Sequence, residues 1–80
     1  MRRYHFDIKD SAGIHRDEHG EMCTDHQAAE AEAVKVAIEM VRHAIGHWTH
    51  FDRAVEVRDE SGEPFVRVRV VAKLETQRLK

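Results

Sequence analysis

The chain has one cysteine, Cys23, so no disulfide can close within it and its stability cannot rest on a cross-linked framework. No apolar run approaches the roughly 20 residues of a membrane span, and Met1-Arg2-Arg3-Tyr4-His5 leads into strand-like alternation instead of a signal-peptide core. No glycine-rich loop follows a strand, which removes the usual phosphate cradle of nucleotide enzymes. These absences lead us to expect a soluble, cytoplasmic protein. Eighty residues leave room for a single small domain with a thin core, because so short a chain buries about two thirds of its surface or less.

The formal charge is only −2, but the charges are segregated. Residues 1–16 carry four cations and two anions, residues 17–63 four cations and twelve anions, and residues 64–80 five cations and one anion. If the terminal segments lie side by side, the molecule gains one basic face.

What the chain does contain is a near copy of itself. Phe6-Asp7-Ile8-Lys9-Asp10-Ser11-Ala12-Gly13 returns as Val55-Glu56-Val57-Arg58-Asp59-Glu60-Ser61-Gly62. Each copy alternates apolar and charged residues and closes with Asp-x-x-Gly, a type I turn whose glycine takes the left-handed conformation. Tyr4, Phe6 and Ile8 alternate with ions in a first strand at about residues 3–9. Ile14 to Arg16 form a short return strand, and Asp17 to Glu21 read as a loop. Val55 and Val57 mark a third strand and Phe65 to Leu74 a fourth, with Val66, Val68, Val70, Ala72 and Leu74 on one side. Phe65, Arg67, Arg69, Val71 and Lys73 fall on the other.

Between the hairpins, Thr24 with Gln27 offers a capping box, or Asp25 the cap, before a run of helix formers from Ala28. Val34, Ile38, Val41, Ile45 and Trp48 recur at intervals of four and three as the expected buried seam, widened by Ala33, Ala37, Met40 and Ala44. Gly46 stops the helix near Ile45. The order β-β-α-β-β implies an α+β fold in which one long helix packs on one face of a four-stranded sheet. The domain covers residues 1–80, with 75–80 expected as a frayed tail. A strand order of 2-1-4-3, with the first and last strands central, would bury the most apolar strand best.

Arg3-Tyr4-His5-Phe6-Asp7-Ile8, Asp10-x-x-Gly13, Asp17-Glu18-x-Gly20, Asp25 before Ala28-Ala29, and Val55 to Gly62 together give the chain a family likeness. It resembles a family of short bacterial domains of unknown function that open with an Arg-aromatic-x-Phe-Asp strand and end in a Val-Arg-Asp-Glu-x-Gly hairpin. The resemblance implies a compact α+β domain and brings no activity, substrate or cofactor. The chain departs from that pattern at Cys23, where members often have leucine, and at His43 and His47, where they have arginine, alanine or acids.

Three groups of residues suggest chemistry. His15, His19, Cys23 and His26 supply nitrogen and sulfur at spacings a tetrahedral zinc accepts, and His43, His47 and His50 would form a ligand column on an uninterrupted helix. The ordinary alternatives are solvated loop histidines and a surface cluster. Cys23, beside Asp25 and His26 at a helix start, has the parts of a nucleophilic site, but parts adjacent in sequence seldom converge. Arg3, His5, Lys9, Arg58, Arg67, Arg69 and Lys73 with Phe65 would share a sheet face able to track phosphates, if Glu56 and Asp7 do not neutralise it.

The composition therefore points to a small non-enzymatic interaction or regulatory module without a cofactor. It would bind a protein partner or a second copy of itself through its sheet, with no membrane and no small-molecule substrate in view. Nucleic-acid binding through the basic face is the alternative, and metal binding through His43, His47 and His50 the third.

Overall fold

The computed structural model describes residues 1–44, 46–47 and 49–80. Its elements run β1 (Arg2–Asp10), β2 (Gly13–His15), β3 (Glu21–Cys23), α1 (His26–Ala44), β4 (His50–Arg58) and β5 (Pro64–Lys73). Both Asp-x-x-Gly segments are turns. Asp10 Oδ1 accepts from the N–H groups of Ala12 and Gly13, Gly62 N–H donates to the Asp59 carbonyl at 2.9 Å, and both glycines have positive φ.

The strands form an antiparallel sheet in the order β2-β1-β4-β5. This corrects the expected order: β1 and β4 are central, and β5 lies at the edge. Val55 and Val57 of β4 are fully buried while Val66, Val68 and Val70 of β5 are only partly so and Val71 is exposed, and each hairpin keeps its strands adjacent. A fifth strand, β3, occupies part of the stretch expected as loop. It continues along β1 where β2 leaves off, pairing Glu21, Met22 and Cys23 with Tyr4, Arg3 and Arg2.

Asp25 caps the helix, its Oδ1 accepting from Ala28 N–H at 2.8 Å. α1 lies over β4 and β5, and the core between the layers gathers Tyr4, Phe6, Cys23, Ala29, Ala33, Ala37, Val55 and Val57. The helix is rolled relative to expectation. The alanines form the buried seam, whereas Val34 and Ile38 are 42% and 52% exposed. Small side chains let the helix backbone approach the valine-rich sheet closely, which larger ones on the same face would prevent. Ile45 and Trp48, the last members of the expected seam, lie outside the described residues.

Phe65 is corrected as well. A β-bulge opposite Val57 and Arg58 adds a residue to β5 and turns Phe65 to the helix side. There its ring lies 4.0 Å from that of His26 and 5.8 Å from that of Tyr4, between ring centroids. Residues 74–80 follow without regular structure and are exposed.

Candidate functional site

The face of the sheet away from α1 carries His5, Asp7, Lys9, Glu56, Arg58, Arg67, Arg69 and Lys73, and cross-strand pairing decides what it offers. Asp7 is only 2% exposed. Arg58 grips it with a fork of two bonds, Nε to Oδ2 at 2.7 Å and Nη2 to Oδ1 at 3.1 Å, and Asp17 N–H donates to Oδ1 at 3.0 Å. Burial pushes the Asp7 carboxyl up, but these bonds and the charges of Arg58 and Arg16 outweigh it, so its pKa falls below 3.8.

The cover over Asp7 is the connection between β2 and β3. β1 is paired with β2 at residues 8–10 and with β3 at residues 2–4, which leaves a gap on that edge between them. Asp17 fills it. Its carboxylate accepts from the N–H groups of Phe6, His19 and Gly20, and its carbonyl accepts from the His5 ring and from Arg58. Burial raises the Asp17 pKa and the three N–H donors lower it further, for a net decrease. Arg3 completes the strap by donating to the His19 carbonyl at 2.7 Å. Gly20 has φ +72°, and a Cβ there would stand 2.7 Å from the Tyr4 carbonyl oxygen, so only glycine fits. Arg3, Asp7, Asp17, Gly20 and Arg58 are among the residues that carry the family likeness, and here they cover the outer edge of β1 between β2 and β3.

The remaining cations of the expected basic face are likewise engaged. Arg67 donates twice to Glu56, which also pairs with Lys9 at 3.2 Å; Arg69 forms a fork on Asp52; Lys73 meets Glu75 at 2.9 Å. β4 separates β1 from β5, so the two basic strands are not neighbours. With Phe65 turned inward, none of the expected stacking aromatics remains on this surface.

The histidine groups do not converge. His15 pairs with Asp10 at 3.2 Å beside the first turn, His26 bonds Tyr4 Oη at 2.9 Å at the helix start, and His43 lies 3.9 Å from Glu39 on α1. His47 sits in the turn after the helix and His50 opens β4. Among the described residues no three His, Cys, Asp or Glu side chains gather as metal ligands do. Cys23 is buried, and burial, then Glu21, Glu32 and Asp25, push its thiol up, the opposite of what a nucleophilic thiolate needs.

What the sheet leaves unpaired, on the side away from β4, is the outer edge of β5. Its ten residues form a full-length edge, in contrast to the opposite side, where two three-residue strands and the Asp17 strap cover β1. α1 runs alongside, from His26 against Phe65 to Val41 against Ala72 and Leu74. Its two flanks differ. Toward β1 it shows Glu32, Lys35, Glu39 and His43 around a groove of about 540 Å³ that includes Arg53. Toward the β5 edge it shows the exposed Val34 and Ile38 and the half-buried Val41, and Leu74, just past β5, is exposed as well. Sequence periodicity had assigned Val34, Ile38 and Val41 to the core. Val41 is half-buried, and the signal that Val34 and Ile38 lie outside is the second apolar stripe of alanines, since one sheet face covers only one of the two.

Fold and surface together define a small α+β domain whose sheet ends in two short strands and a strap on one side and in one long edge strand on the other. The family model DUF6894, a domain of unknown function, matches residues 3–72, and the chain belongs to that family. No curated protein and no solved structure matches it. No helix among the described residues is long and apolar enough to cross a membrane.

Proposed function

We propose that the domain is a protein-interaction module that meets its partner through the β5 edge and the apolar flank of α1 beside it. The observation that carries this is the asymmetry of the sheet: β1 is covered along its outer edge, while β5, paired with β4 on one side only, presents the outer edge of a ten-residue strand next to exposed Val34 and Ile38. Such an edge is a template for another chain, and contiguous exposed apolar groups mark interaction surfaces. The paired cations of the outer face do not favour phosphate recognition, because each one's nearest partner is a carboxylate of the same chain.

Site-specific photocrosslinking in the producing cells tests this. A photoreactive side chain at Ile38 is expected to give protein adducts that the same group at Glu18, on the covered side, does not. Absence of adducts at Ile38 would overturn the proposal.

A further inference from the structure

We propose that the occupant of this surface is a second copy of the same chain, with the two β5 strands paired antiparallel about a two-fold axis at Val68. The inference rests on the interaction reading above and names its partner. Three observations converge on it.

The strand is its own reverse about that residue: Val66-Arg67-Val68-Arg69-Val70 reads identically in both directions. Antiparallel pairing centred on Val68 sets Val68 against Val68 and Val66 against Val70, all on the helix side. Because directly opposed residues of an antiparallel pair share a face, both helices then lie on the same side of a continuous sheet.

The helix runs parallel to β5 and spans the same stretch, His26 by Phe65 and Val41 by Ala72. Interpolation places Val34 beside Val68 and Ile38 beyond it, by Val70. The two-fold axis therefore brings the Val34 side chains of the two copies nearest each other, with Ile38 flanking them on either side, and one operation covers this flank of both helices. A heterologous partner would have to match an edge and a stripe that a second copy matches by symmetry.

Charge and size permit the approach. Opposed Arg67 and Arg69 would repel as free cations, but each already carries a carboxylate, Glu56 or Asp52. Ten residues at about 3.3 Å make an edge roughly 33 Å long. The sheet-to-helix layer spacing with half a helix makes it about 15 Å tall, on the order of 500 Å² in projection. With side-chain relief this approaches the ~800 Å² per partner of a standard interface.

The test combines light scattering with cysteine pairing on the full chain. The wild type is expected at twice the 9.3 kDa chain mass at micromolar concentration, and Val34→Glu/Ile38→Glu at the single mass, with a folded circular dichroism spectrum because both positions are exposed. Under mild oxidation Val68→Cys is expected to form a disulfide dimer, since opposed Cα atoms lie within disulfide reach. Val66→Cys, opposite Val70 instead of itself, is expected not to. A wild type of single mass overturns the inference, and adducts at Ile38 to a different protein would then leave the interaction reading standing. A dimer that persists in the double variant, or that cross-links through Val66→Cys and not Val68→Cys, also overturns it.

Discussion

Asp17 holds more of the chain in place than its position in a five-residue connection suggests. It serves three backbone donors with its carboxylate and two side chains with its carbonyl, so Asp17→Ala should cost about 1–3 kcal/mol, most of it from the Phe6 N–H left without a partner. Arg58→Ala is expected to cost about 3 kcal/mol, because it strands the buried Asp7 charge. Against a total stability on the order of 5 kcal/mol, urea titration should show either variant with a much lower midpoint. Gly20→Ala, forced to a positive φ and against the Tyr4 carbonyl, should lose about 2 kcal/mol or more. The pH dependence follows from the same groups. Asp7 and Asp17 have folded pKa values below the ordinary 3.8, so their stabilisation is complete above about pH 4 and is lost as pH falls through the lower folded values. The stability gap between wild type and Asp17→Asn should therefore be widest near neutrality and narrow below pH 4. None of this network was legible in the sequence beyond its membership. Asp7 falls on the polar side of an alternating strand, and only the folding of residues 16–20 over it makes it a buried residue.

The strands and turns were readable because each is decided locally, by alternation and by Asp-x-x-Gly. The seating of α1 was not. Val34, Ile38 and Val41 share the helical period of Ala29, Ala33 and Ala37, and the choice between the stripes depends on how closely helix and sheet can approach. Ala33→Leu is accordingly expected to destabilise by about 1–3 kcal/mol, a fall of roughly 5–20 °C in melting temperature. Ile38→Ser should leave the melting temperature of the single chain nearly unchanged, within about 0.5 kcal/mol. The reverse result would restore the larger residues to the core. The turning of Phe65 toward His26 was hidden for a related reason: a bulge adds one residue to the register, and simple alternation assigns every later position without it.

The segregation of charge along the chain does not survive as a basic face, because β4 brings Asp52 and Glu56 between the cations of the two terminal strands. The molecule is accordingly expected to give no gel shift with random DNA or RNA even at low salt, and a steeply salt-dependent shift lost in Arg67→Glu/Arg69→Glu would contradict that. Its polarity is geometric: on one side two short strands and a strap that includes residues of the family likeness cover β1, and on the other β5 is a long edge. The most direct measurement is amide hydrogen exchange along β5 at increasing protein concentration. The account predicts that the amides around Val68 become more protected as concentration rises, while those of β1 stay constant. Exchange around Val68 that is fast and independent of concentration would contradict it.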